Sequence, residues 1–266
     1  MELAGRTVLL TGATGGLGRV IAKALAARGA KLSLSGRRAE ALEELAAELP
    51  GDGHQTLPAD LAEPGAAEKL AAEAGEVDAL VANAGLPGTG RLPELSSERL
   101  TGTLRVNLEA PMLLARAVEP QMVERGGGHM VFIASLSGKA PSPRSSVYNA
   151  TKFGLRGFAL GLRADLAPQG VGVSLVSPGF IREAGMFADA GAKPPPGMGT
   201  GTPEQVGAAV VQAIERDKVE VAVAPLQQRF LAHFALASPG IAVKVTSGSM
   251  AQKTAADLAS GQTDKR

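Results

Sequence analysis

The sequence contains no cysteine and no tryptophan, only one tyrosine and only three histidines. Without cysteine, disulfides, thiolate nucleophiles and cysteine metal sites are excluded. The histidines (His54, His129 and His233) are scattered without the spacing of metal ligands, so no metal centre is expected. An excess of charge of one sign is also missing. With 27 basic and 26 acidic side chains the formal net charge is +1, which gives no electrostatic case for nucleic acid or an anionic membrane as partner. No apolar run approaches the length of a membrane span, and Met1 to Arg6 leads directly into a strand pattern, unlike a signal peptide. A cytoplasmic protein with little membrane contact is expected.

What is present is apolar and rich in small residues: 45% hydrophobic side chains and 34 glycines, in a chain long enough for one sizeable core. Strand and helix signals alternate, which argues for parallel strands joined by crossover helices. Strands are predicted at Thr7 to Leu10, Lys31 to Ser35, His54 to Leu57, Val77 to Ala82, His129 to Ala134, Val171 to Val176 and Val219 to Val223. Helices are predicted between them, including one from Pro64 to Glu73 with Pro64 in its first turn. Two more fill Ser97 to Glu124, the longer carrying Asn107, and a long one runs from Val147 to Leu166. One domain is expected over residues 1–246, with no internal repeat or linker. Residues 180–202, rich in Gly, Ala and Pro, read as a mobile lid. Residues 226–246 form an extension with an amphipathic helix, and the small polar residues 247–266 read as a flexible tail.

The turn Thr11-Gly12-Ala13-Thr14-Gly15-Gly16-Leu17-Gly18 lies between the first strand and the first helix. Small residues there let backbone N–H groups approach a pyrophosphate, whose charge the helix N-terminus attracts. At the end of the second strand a carboxylate would bind the ribose 2′-hydroxyl of NAD. This chain has Ser35-Gly36-Arg37-Arg38 instead, and Arg37 offers a planar fork of donors for a 2′-phosphate, so NADP is favoured with NAD possible. Asp60-Leu61 is placed to frame an adenine, and Asn83-Ala84-Gly85 to let the cofactor pass close to the fourth strand. Tyr148 and Lys152 stand four apart on a predicted helix, which sets an ammonium beside a phenol and favours phenolate over a pKa near 10.

The turn at Thr11 to Gly18, Asp60-Leu61, Asn83 to Gly85, Asn107, Ser135, Tyr148-Asn149-Ala150-Thr151-Lys152 and Pro178-Gly179 occur in one order. In that order and spacing the chain resembles the single-domain type of the short-chain dehydrogenase/reductase family, over roughly residues 5 to 180. The resemblance implies an α/β fold, a single Rossmann-like doubly wound parallel sheet of about seven strands with helices on both faces. It implies that Tyr148 is the acid–base at a carbonyl or alcohol oxygen, that Ser135 orients that oxygen, and that Lys152 holds the cofactor ribose. Asn107 matches the position that steadies a water chain to Lys152. Cofactor contacts extend to Pro178, Gly179 and Ile181. Where family members often carry a threonine after Pro-Gly, this chain has Phe180-Ile181-Arg182-Glu183.

The leading expectation is NADPH-linked reduction of a ketone or aldehyde. The alternatives are an NAD-dependent secondary alcohol or steroid-like dehydrogenase and a non-catalytic dinucleotide sensor. Phe180, Met186, Phe187 and Met198 suggest an apolar substrate pocket under the lid, with Arg182 and Lys193 as its cations. A homo-oligomer, dimer or tetramer, is expected. Phe230, Leu231, Phe234 and Leu236 are expected to be buried against the body or a second subunit, ahead of covering the active-site mouth or resting on a membrane.

Overall fold

The computed structural model describes residues 1–191, 194–195, 197–248, and 252, 255, 256, 259 and 261. Lys193, expected as a lid cation, and Pro196 of the proline run lie outside the described residues. The strands are β1 (Thr7–Thr11), β2 (Lys31–Gly36), β3 (Gln55–Pro58), β4 (Ala79–Ala82), β5 (Gly128–Ile133), β6 (Val171–Pro178) and β7 (Glu220–Val223). They form one parallel sheet in the order β3-β2-β1-β4-β5-β6-β7. The chain winds outward through β2 and β3, then crosses to the other side of β1, so the direction reverses between β1 and β4. Ligands of open α/β sheets bind at this point, outside the C-terminal ends of the strands.

Near-continuous apolar strands need cover on both faces, and helices supply it. Side chains alternate across the sheet, so Val8, Leu10 and Val81 join one core with α1 (Gly16–Ala26), α2 (Ala39–Glu48) and α8 (Pro203–Glu215). Leu9, Leu80 and Phe132 join the other core with α3 (Ala66–Ala74), α5 (Ala110–Glu124) and α6 (Ser146–Leu166). Pro64 is not in the first turn of α3 as expected. It stands two residues before the helix, whose entry is Gly65 in a left-handed conformation at φ 78°. The two helices expected over Ser97 to Glu124 are α4 (Ser97–Leu104) and α5, joined without a break by a π-helical turn, Arg105–Glu109. Asn107 belongs to that turn rather than to the longer helix.

After β6, Ile181 pairs with Gly201 across the base of the lid, which contains one helical turn, α7 (Met186–Asp189). The extension folds as α9 (Leu226–Ala237) and α10 (Pro239–Thr246). The expectation that its large apolar residues rest on the body is not met. Helix α9 turns Gln228, Ala232 and Ala235 inward and leaves Phe230, Leu231, Phe234 and Leu236 exposed. In the segment beyond Ser247, Gln252, Ala255, Ala256 and Ala259 are helical and Ala255 is buried.

Near the N-terminal ends of the strands, His129 is buried on β5. The Ser174 hydroxyl donates to the Lys218 carbonyl at 2.6 Å, so at 2.8 Å it accepts from His129 Nε2, which carries the ring proton. Burial lowers the imidazole from its ordinary 6.5 to about 4, against the opposing pull of Asp217. The folded chain thus holds a neutral ring that the unfolded chain protonates first. This group's contribution is complete above pH 6.5 and is lost as pH falls towards 4, by roughly 3 kcal/mol in all. Denaturant midpoints measured across that window should fall with pH, and His129→Asn should flatten the fall.

Candidate active site

The glycine turn is fixed from β4. The Thr11 hydroxyl accepts from the N–H groups of Asn83 and Ala84, each at 3.1 Å. In return, Asn83 Nδ2 donates to the carbonyls of Thr11 at 3.0 Å and Gly12 at 3.1 Å. A Cβ at Gly18 would overlap the Gly12 carbonyl oxygen, so only glycine lets the turn fold onto the start of α1. No side chain caps that helix, so N–H groups of its first turn remain available to an anion.

Beside the turn lies a cleft of about 780 Å³. Of the residues expected to hold a cofactor, Gly12, Thr14, Gly15, Gly16, Leu17 and Gly18 line it from the turn, and Ser35, Arg37 and Arg38 from the end of β2. Asp60 and Leu61 follow β3 into it, and Asn83, Ala84 and Gly85 follow β4. Arg37 and Arg38 are exposed on its lip and form no ion pair among the described residues. Asp60 is turned to its own loop, where Oδ1 accepts from the Ala62 N–H at 2.9 Å. Thr11, Tyr148, Lys152, Pro178, Gly179 and Ile181 do not line the cleft. Thr11 is buried in the clamp, and the Ile181 side chain is packed in the core, leaving its backbone for any ligand contact.

Several lining residues carried no expectation. Leu86 and Pro87 extend the Asn83–Gly85 run, and Val106 precedes Asn107, so neighbouring motifs pointed to them. Gly185 and Asp189 come from the lid, where nothing in the sequence marked them. Met186, expected on the substrate side, also lines this cleft, and its methyl group would meet a Cβ at Gly85 at 3.2 Å. The lid thus lies over the nucleotide-sized space. Phe180 and Phe187 pack on each other, with ring centroids 4.7 Å apart.

At the same edge of the sheet, Ser135 follows β5, and Tyr148 and Lys152 sit on α6. A Cβ at Gly138 would stand 2.6 Å from the Lys152 carbonyl oxygen, so glycine there allows the segment after Ser135 to lie directly on α6. Ser135 Oγ accepts from the Ser137 N–H at 3.1 Å, donates towards the Pro178 carbonyl at 3.4 Å and lies beside the Tyr148 phenol. Lys152 Nζ is buried, donates to the Ile133 carbonyl at 2.8 Å and lies 5.7 Å from the centre of the Tyr148 ring. Burial pushes the phenol above its ordinary 10, with the Ser135 hydrogen bond acting the other way, and lowers the ammonium from 10.5 to about 8. The expected depression of the phenol by Lys152 is therefore not found, and desolvation sets the direction of the shift.

Asn107 is fully buried. Its Oδ1 accepts from the Leu86 N–H at 2.7 Å, and Nδ2 donates to the Leu86 carbonyl at 2.8 Å and towards Thr151 Oγ1 at 3.3 Å. It fastens the segment after β4 to α6, and its hydrogen bonds run to Leu86 and Thr151. An ion cluster not anticipated from sequence closes the other side. Lys139 Nζ stands 2.8 Å from Glu220 Oε1, which also accepts from Ser177 Oγ at 2.7 Å, and Arg156 Nε lies 3.5 Å from Oε2. Burial raises the Glu220 carboxyl, but Lys139, Ser177 and Arg156 together draw it below its ordinary value.

A glycine turn feeding an uncapped helix at the switch point of a doubly wound sheet defines a dinucleotide-binding α/β fold. The family model for short chain dehydrogenase matches residues 6–194, and the chain belongs to the short-chain dehydrogenase/reductase family of oxidoreductases. A ketoacyl reductase, HetN, of Nostoc sp. is 37% identical over 227 residues, 83% of this chain and 79% of that protein. Mouse dehydrogenase/reductase SDR family member 7B is 41% identical over 184 residues, 65% of this chain, which spans 57% of the mouse protein. A short-chain dehydrogenase of Streptomyces avermitilis superposes with a TM-score of 0.78 at 28% identity, over 94% of this chain and 100% of that one. A metagenomic short-chain oxidoreductase solved with NADP gives 0.71 at 31% identity, over 85% and 99%. Among the described residues no helix is long and apolar enough to cross a membrane, and no cluster of side chains could hold a metal ion.

The buried ammonium has a cost in stability. With its folded pKa below its unfolded one, the penalty is complete below about pH 8 and fades as pH rises towards 10.5, on the order of 3 kcal/mol at neutral pH. Removing the Ile133 partner gives part of that back. Lys152→Met should therefore raise stability at pH 7 by about 1–2 kcal/mol, and the gain should shrink at pH 10, as measured by thermal or urea unfolding.

Proposed function

We propose that this protein is an NADPH-dependent reductase of ketones or aldehydes, with Tyr148 as the proton donor. The observation that carries the reading is the charge at the lip of the cleft, where Arg37 and Arg38 stand free of ion pairs at the end of β2. A 2′-phosphate accepts two parallel N–H bonds from such a fork, and no carboxylate there competes for a ribose hydroxyl. The residues fit a dinucleotide: the uncapped start of α1 receives the pyrophosphate and the clamp at Asn83 leaves its path open. When bound, the nicotinamide supplies the hydride.

The remaining work belongs to the chain. Ser135 Oγ and the Tyr148 hydroxyl lie together and hold the carbonyl oxygen of the substrate between them. A phenol is neutral at neutral pH at its ordinary value of 10, and burial only pushes it higher; the neutral form is the one that delivers a proton to an alkoxide, which suits reduction. Lys152 remains mostly charged at pH 7 with a pKa of about 8, so it steadies the phenolate left behind and holds ribose hydroxyls. Asn107 positions α6 through Thr151. The lid aromatics Phe180 and Phe187 favour an apolar substrate, and HetN, similar over most of the chain, is a ketoacyl reductase by name.

The test is a carbonyl panel run with NADPH and with NADH. Tyr148→Phe should reduce turnover by about 100-fold or more, the usual scale of a lost general acid. Arg37→Asp should lower kcat/KM for NADPH by about 100-fold, the scale of a charged hydrogen bond worth about 3 kcal/mol, and leave NADH use less affected. Native protein that prefers NADH, or Tyr148→Phe that turns over normally, would overturn the reading.

A further inference from the structure

Helix α9 is packed with its small side chains inward and its large ones outward. Gln228, Ala232 and Ala235 face the body, while Leu226 is 75% and Phe230 71% exposed, and Phe234 is exposed on the same stripe. At 100° per residue Leu226, Phe230 and Phe234 follow one another along the face opposite the buried one. Helix α10 repeats the pattern, with Ala242 buried and Ile241 and Val243 about half exposed. A soluble surface seldom presents so many large apolar side chains together.

The charge on this segment is one-sided. Between Glu220 and Asp257 there is no acidic residue, whereas Arg229, Lys244 and Lys253 are cationic. Arg229 and His233, four apart and both exposed, flank the apolar stripe. We propose that α9 and α10 form a docking surface for an anionic lipid bilayer. Apolar side chains that enter the acyl boundary beside cations that meet anionic headgroups are what an interfacial helix requires. A second copy fits less well. Most homodimers form through a two-fold interface, which sets a patch against itself. Here that brings cation to cation with no acid in the patch to neutralise them.

The inner face of α9 gives the docking a consequence. Gln228 Oε1 accepts from the Phe180 N–H at 3.2 Å, and Nε2 donates to the carbonyls of Met198 and Gly199, each at 3.0 Å. One buried side chain thus ties the helix to both arms of the lid. A bilayer against the outer face of α9 therefore meets a helix whose inner face is tied directly to the lid.

Vesicles of phosphatidylcholine with phosphatidylglycerol, and of phosphatidylcholine alone, test this by co-sedimentation with the purified full chain at low and high salt. The native protein should sediment with the anionic vesicles, less with neutral ones and less at high salt. The pair Leu226→Glu and Phe230→Glu should lower the bound fraction by about tenfold, with unchanged melting temperature and elution volume. The pair Arg229→Gln and Lys244→Gln, which leaves the apolar face intact, should weaken binding to the anionic vesicles only. Protein that stays in the supernatant with both vesicles, or binds both equally, overturns the proposal. So does a dimer that the glutamate pair converts to monomer, which would assign the face to a second copy. Binding is scored without turnover, so failure here leaves the NADPH reading standing.

Discussion

The site depends on one buried ammonium. Lys152 Nζ reaches the Ile133 carbonyl at the end of β5, with its charge removed from water. Desolvation draws its pKa down to about 8 while the same dryness drives the Tyr148 phenol up. The two shifts run in opposite directions, so at neutral pH the phenol keeps its proton while the ammonium, its hold on the proton weakened, is still mostly charged. In the proposed reaction a charged ammonium in a dry site stabilises the phenolate left when its neighbour gives up a proton, more strongly than it would in water. The cost falls on the fold, and the extensive cores on both faces of the sheet carry it.

Holding that ammonium in place requires three separate elements to meet. The segment after Ser135 lies on α6 because Gly138 has no side chain, and α6 is tied through Thr151 to Asn107. Asn107 in turn satisfies both backbone groups of Leu86, directly after the Asn83 clamp on the glycine turn. The glycine-turn side of the cleft and the helix that carries Tyr148 and Lys152 are therefore one hydrogen-bonded unit. The π-helical turn at Arg105–Glu109 fits this demand, since one widened turn redirects a side chain without ending the helix.

Much of this was legible in the sequence, for identifiable reasons. Strand positions were clear because buried parallel strands are apolar throughout, and glycines mark a turn that backbone must approach. The pairing of Tyr148 with Lys152 follows from helical spacing alone. The direction of the Tyr148 shift was not legible, because a motif shows the nearby cation and gives no measure of burial. Lys139 with Glu220 could not be foreseen either, as residues 81 apart in the chain meet only once β5, β6 and β7 are aligned. The bond pattern of Asn107 was hidden for the same reason, and the role of Met186 in the cleft depends on how the lid folds back.

The outer helix shows the limit of pattern reading most clearly. An amphipathic period from Gln227 to Leu236 was visible, but a period does not say which face is inside. Packing settles it through the lid: Gln228 is the one residue of α9 that supplies both donors and acceptor to the backbone at Phe180, Met198 and Gly199. Burying that amide leaves three backbone groups satisfied, whereas burying Phe230 in its place would leave them unpaired, at about 1–3 kcal/mol each. Turning the helix over would bury Leu226, Phe230 and Phe234 at about 1.5–3 kcal/mol each, a gain of the same order as the three bonds lost. The polar contacts of Gln228 to the lid thus offset most of what burying the stripe would contribute, and the helix is found with its amide inward and its apolar face outward.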